Sequence, residues 1–126
     1  MAVSKHILGF FTLLFAALLS CISASAQMID IGKFVIDKNV CTITNKETGK
    51  TFDLYGDVEI VDHFEDISIK LVDHFEDIDV RLVDSSNPSC CEFRKVKHFA
   101  KIKVRIVEHF EDISVRLVEH FPGINH

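Results

Sequence analysis

Val58-Glu-Ile-Val-Asp-His-Phe-Glu-Asp-Ile-Ser68 is followed without a break by Ile69-Lys-Leu-Val-Asp-His-Phe-Glu-Asp-Ile-Asp79. The two stretches are one 11-residue unit written twice, and self-similarity of this kind governs a fold before local propensity does. The same frame fits residues 104–114 and 115–125. Residues 80–90 start in frame and then degenerate into Ser85-Ser86-Asn87-Pro88-Ser89. A two-residue insertion, Cys91-Glu92, precedes the remaining copy at 93–103. The fourth position is Val in all six units: Val61, Val72, Val83, Val96, Val107 and Val118.

An 11-residue period also suits a right-handed helical coiled coil. The side chains decide against it. Across each junction apolar residues take every second place: Ile67, Ile69, Leu71, then Ile78, Val80, Leu82, and the same after Ile102 and Ile113. A period of two carried by β-branched residues is a strand signature. The residues between them are Ser, Lys, Asp or Arg, which suit a solvated face. Each unit therefore predicts one short strand and one reversal at His-Phe-Glu-Asp, and the fold class is all-β. A strand of about six residues spans ~20 Å, and eleven residues are too short for a complete solenoid coil. Two units per two-sided coil and a six-stranded antiparallel meander both satisfy the repeat.

Residues 27–57 precede the repeat. Val40-Cys41-Thr42-Ile43 resembles a strand, Asn45-Lys46-Glu47-Thr48-Gly49-Lys50 a turn, and Thr51-Phe52-Asp53-Leu54 a return strand. This predicts an N-terminal β-hairpin that packs on the repeats and covers a sheet edge. Residues 1–26 read as a signal peptide. Lys5 and His6 form a basic start, an apolar run follows from Ile7 to Leu19, and Ala24-Ser25-Ala26 offers a cleavage site that leaves Gln27 first. The apolar run, about 13 residues, falls short of the ~20 that span a bilayer. The expected destination is secreted or periplasmic, with no transmembrane span in the mature chain. The alternative is a lipoprotein anchored through Cys21, because Leu18-Leu19-Ser20-Cys21 resembles a lipobox. The expected organisation is a signal peptide at 1–26, a hairpin segment at 27–57 and a repeat domain at 57–126.

The iterated Val-Asp-x-Phe-x-Asp-Ile-x-Val-x-Leu, as in residues 72–82, resembles the 7(1) septoil knot family of small, mostly bacterial proteins. The interruption before Phe93-Arg94-Lys95-Val96 and the terminal His120-Phe121-Pro122-Gly123 add to the likeness. It covers about residues 57–125. It implies a deeply knotted β-rich fold in which the chain winds around itself through successive short strands. It carries no catalytic or binding residues to this chain. Ser85-Ser86-Asn87-Pro88 departs from the pattern in the third unit, and His is more frequent than the pattern requires.

The formal charge is −5, and loss of the leader removes Lys5 and no acid. A mildly acidic chain lacks the basic face that phosphate binding needs, so nucleic acid is not an expected partner. The histidines His63, His74, His98, His109 and His120 recur at the sixth position beside carboxylates, a combination that suits Zn²⁺. Of these, His63, His74, His109 and His120 form the alternative metal set. A spacing of eleven is not a metal-ligand spacing, and the plainer reading is duplicated, exposed turn residues. The pairs Glu65-Asp66, Glu76-Asp77 and Glu111-Asp112 read as a solvated acidic rim. Equivalent acids lack the asymmetric environments of hydrolytic chemistry, and these turns lack the glycines of Ca²⁺ repeats. Phe64, Phe75, Phe99, Phe110 and Phe121 are expected to anchor each turn in the core, because Phe buries a large apolar area. Lys95, Lys97, Lys101, Lys103 and Arg105 alternate with apolar residues as the wet face of strands. Export favours disulfides, and Cys41 is expected to pair with Cys90 or Cys91, which point to opposite sides of an extended chain.

No catalytic residues and no cofactor are expected. The favoured reading is a non-enzymatic extracytoplasmic scaffold or binding protein. The alternative is a metal-binding module built on the turn histidines and acids.

Overall fold

The computed structural model describes residues 27–124. The signal peptide and the Cys21 alternative lie outside the described residues. Within them the chain forms eleven strands and no helix.

The first four strands are β1 (Met28–Ile31), β2 (Phe34–Asp37), β3 (Thr42–Asn45) and β4 (Thr51–Asp53). They pair antiparallel in the order β1-β2-β3-β4. β3 and β4 are the expected hairpin, and β1 and β2 extend it into a meander. Asn45 organises the β3–β4 turn. Its carbonyl accepts from the Gly49 N–H at 2.8 Å and its side-chain Oδ1 from the Glu47 N–H at 2.9 Å. Gly49 adopts φ +77°, where a Cβ would be strained.

The repeats supply β5 (Gly56–Ile60), β6 (Ile67–Leu71), β7 (Ile78–Leu82), β8 (Glu92–Lys95), β9 (Ile102–Ile106) and β10 (Ile113–Leu117). Every pairing among these six is parallel. The order β5-β9-β6-β10-β7-β8 closes on β5, so they make a six-stranded barrel rather than a meander or a two-sided coil. A short β11 (Gly123–Ile124) returns antiparallel against β7.

Parallel neighbours usually need a crossover of a dozen residues or more. Here six suffice, because neighbouring strands are staggered. Val104 pairs with Ile60 on one side and Ile67 on the other, and Val115 pairs with Leu71 and Ile78. The end of one strand therefore lies at the same height as the start of the next. Residues 61–66 step from β5 to β6 across β9: the Val61 N–H donates to the Val104 carbonyl and the Asp66 N–H to the Lys103 carbonyl. Residues 72–77, 96–101 and 107–112 step over β10, β5 and β6 in the same way.

The steps interlock. A first lap lays down β5, β6, β7 and β8, and a second lap seats β9 between β5 and β6 and β10 between β6 and β7. The β5–β6 connection covers β9, while the β9–β10 connection covers β6.

Three aspartates fasten the steps. The Asp66, Asp77 and Asp112 carboxylates each accept the backbone N–H of the strand they cross, from Lys103, Ser114 and Ser68, all at 2.8 Å. Each aspartate N–H donates to the carbonyl of that same residue. The acidic rim expected of the Glu-Asp pairs is thus replaced by a backbone clamp, and the short Asp side chain suits it by spanning one hydrogen-bonded ring. On the barrel wall Asp57 faces Arg94 and Asp79 faces Arg116 across paired strands. The Arg94 guanidinium holds the Asp57 carboxyl below its ordinary range despite some desolvation.

Candidate functional site

Strand alternation sends three tiers of side chains into the barrel. Ile67, Ile78, Ile102 and Ile113 are buried at the strand starts. Val58, Val80, Phe93, Val104 and Val115 are buried at mid-height, with Ile69 beside them. The third tier is Ile60, Leu71, Leu82, Ile106 and Leu117, which stay 40–52% exposed. The two ends of the barrel therefore differ. At the strand starts the meander closes it, with Ile43 and Leu54 forming part of the lining and Phe34 and Ile36 packed in the same core. At the strand ends nothing among the described residues covers the aliphatic rim.

The lumen is a cavity of about 210 Å³. Apolar side chains line it, apart from Lys95 at the rim of β8. A dry apolar cavity of ~150 Å³ already holds a benzene-sized molecule, whereas drug-sized ligands take ~300 Å³ or more. This space suits a small aliphatic molecule entering through the rim, with Lys95 placed to meet an anionic end. The sequence reading assigned the alternating residues to a core. It missed the opening, whose signal was the third apolar place of each alternation, the fifth strand residue, falling at a strand end.

The turn phenylalanines do not anchor the core. Phe64, Phe75, Phe99, Phe110 and Phe121 are 92–100% exposed. Each holds φ between +57° and +62°, a region that bulky L-residues rarely visit. The cause is the backbone bonding of each step to the strand beneath, at both ends in four of the five, which forces the chain outward to clear that strand and aims the fourth side chain at solvent. The five connections cross β5, β9, β6, β10 and β7, so the phenyl groups stand around five consecutive sides of the barrel.

His63, His74, His109 and His120 are exposed on the same steps, each over a different strand. The structure does not gather them into one ligand set: among the described residues the group of three metal-capable side chains within reach of one another is Cys41, Cys90 and Cys91. In the basic stretch, Arg105 pairs with Glu65 at 3.6 Å. The structure joins Cys41 to Cys90 and leaves Cys91 a buried free thiol. Extended geometry alone left both partners open. Cys91 holds φ +63° just before β8, so the chain is not extended there and the two neighbouring sulfurs lie 3.7 Å apart, Cys90 bonded to Cys41 and Cys91 buried beside them. Burial, with Asp79 nearby, pushes the Cys91 thiol up to about 11.

The family profile of the 7(1) septoil knot domain matches residues 51–125, more than half of the chain. The chain belongs to this family. The septoil knot match starts at β4 and takes in the whole barrel with β11, and β1–β3 of the meander precede it. The barrel strands and their clamped steps therefore lie within the septoil knot domain, which supplies the lumen lining apart from Ile43. No curated protein gives a significant match to the chain. Among the described residues no helix is long and apolar enough to cross a membrane.

Proposed function

We propose that this septoil knot protein is a non-enzymatic, extracytoplasmic binding protein whose barrel lumen takes a small aliphatic molecule with an anionic end, such as a medium-chain carboxylate. The observation that carries the reading is the asymmetry of the barrel. One end is closed by the meander, and the other presents five half-exposed aliphatic side chains around an apolar cavity with Lys95 at its edge. Leaving contiguous apolar surface in water is costly, and such patches commonly mark binding sites. The leader read at 1–26 supports export, and the disulfide is in keeping with an oxidising compartment.

The test is a titration with saturated carboxylates from six to fourteen carbons, followed by calorimetry. Each methylene buried contributes about 0.8 kcal/mol, so affinity should rise roughly fourfold per carbon until the lumen is full and then level off. Leu117→Trp should block the mouth and abolish binding. Lys95→Ala should weaken the carboxylates and spare the matching alcohols. Binding that ignores chain length, or that Leu117→Trp leaves intact, defeats the proposal.

A further inference from the structure

Three sulfurs meet where the meander joins the barrel. The Cys41, Cys90 and Cys91 Sγ atoms lie within 4.8 Å of one another, with Cys90 and Cys91 at 3.7 Å. Metal–thiolate bonds near ~2.3 Å place three trigonal sulfurs about 4 Å apart. Opening the Cys41–Cys90 bond frees its two sulfurs to move apart to that spacing.

The backbone holds this geometry independently of the disulfide. The Leu54 N–H donates to the Cys41 carbonyl at 2.9 Å, and the Leu54 carbonyl accepts from the Cys91 N–H at 2.7 Å. The Cys91 carbonyl accepts from the Arg81 N–H at 3.0 Å. Cys41 and Cys91 are thus fixed on the same residue of the chain, and Cys90 is tied to Cys91 by the peptide bond. Reduction leaves the backbone of all three residues in place, and the Cys41 and Cys90 side chains need only rotate apart to the ~4 Å spacing of a shared metal.

We infer that, in the reduced protein, Cys41, Cys90 and Cys91 form a trigonal thiolate site for monovalent copper. Thiolates are soft ligands and select soft metals. Zinc in a closed site takes four ligands, and among the described residues the candidate set stops at three. Monovalent copper is satisfied by three. A buried thiol resists ionisation, but a coordinated thiol is deprotonated outright by the metal's charge. Reduction of the Cys41–Cys90 bond consumes two electrons and two protons. A phosphine reductant supplies the electrons and leaves as its oxide, with water giving the oxygen and the protons. Copper binding then releases the thiol protons to solvent.

The test uses the full chain carrying Cys21→Ser, so that the three described sulfurs alone can respond. It is reduced with phosphine, freed of reductant without air, and titrated with monovalent copper against a chromogenic copper(I) chelator. One equivalent should bind, with a sulfur-to-copper absorption band in the near ultraviolet. The same chain with its disulfide intact should bind none at that affinity. Reduced Cys91→Ser should lose affinity by at least ~100-fold, beyond what loss of an outer-shell partner gives. Comparing oxidised with reduced parent carries the same question without a substitution, should Cys91→Ser fold poorly. Equal binding by the two redox forms would assign copper to the histidines and overturn the inference. Absence of binding by the reduced chain, or full affinity in folded Cys91→Ser, would overturn it as well.

Discussion

The Asp77 carboxylate accepts the Ser114 N–H at 2.8 Å while the Asp77 N–H donates to the Ser114 carbonyl at 2.9 Å, across 37 residues of sequence. One residue thereby satisfies both backbone groups of the strand that its connection steps over. Hydrogen bonds to a charged acceptor contribute more than neutral ones, and a half-buried N–H left without a partner adds to the loss. Asp77→Ala should lower the unfolding free energy by about 1–2 kcal/mol. Asp73→Ala, an exposed position on the same step, should stay within ~0.5 kcal/mol. Denaturant unfolding of the two variants checks this, and equal losses would remove the clamp from the account.

Phe75 and Phe93 make opposite predictions. Phe75 is fully exposed at φ +60°, whereas Phe93 is buried in the lumen wall. The left-handed conformation costs an L-residue roughly 1–2 kcal/mol, and glycine gives back part of that gain as chain entropy. Phe75→Gly should therefore leave stability unchanged or raise it by up to about 1 kcal/mol. Phe93→Ala should cost about 3–5 kcal/mol. A large loss in Phe75→Gly would show that the phenyl packs against something in the native protein.

Alkaline pH isolates Cys91. Its folded-state thiol sits at about 11, above the ~8.5 of an unfolded cysteine. A group raised on folding contributes stability that is fully present below the unfolded value and is lost as pH rises through the folded one. Melting temperature should fall more steeply between roughly pH 8.5 and 11 in the parent than in Cys91→Ala. Parallel curves would mean that Cys91 ionises as easily in the native protein as in the unfolded chain.

Interlocked laps should make folding slow. Pairs such as Val58 with Ile102 and Ile69 with Ile113 close long loops before any contact rewards them. In addition, β9 and β10 must be seated beneath connections that belong to the first lap. Proline isomerisation, which takes tens of seconds, is removed by the double variant Pro88→Ala, Pro122→Ala. That variant should still refold over seconds or longer, with more than one phase. A single phase in milliseconds by stopped flow would contradict the order of seating described above.

The repeat, its strand phase and the N-terminal hairpin were legible from residues 27–124 as text. The alternation Ile78-x-Val80-x-Leu82 fixes which side chains share a face whatever the strand pairs with, because successive residues of a strand point to opposite sides. The phenylalanines were misread for an equally physical reason. Hydrophobicity ranks Phe as a core residue, but Phe64 and its equivalents occupy the outward bend of a clamped step, and the clamp joins residues 37 or 44 positions apart. The candidate site was legible only in part. Its apolar lining was visible, while the open rim depends on the strand ends falling on one side.

Sequence by itself determined that this protein is all-β, which residues of each unit are apolar and paired in phase, and that one insertion at Cys91-Glu92 breaks the repeat. Tertiary structure alone decided the partners. Units of nearly identical sequence can pair with one another about equally well, so no local pattern distinguishes β5 beside β9 from β5 beside β6. Parallel direction and the stagger that lets six residues cross a strand follow from closing six strands into one ring, and the choice of Cys90 over Cys91 from where the meander meets the turn before β8. Closure is a property of the whole chain, because it must satisfy the backbone groups of every edge at once.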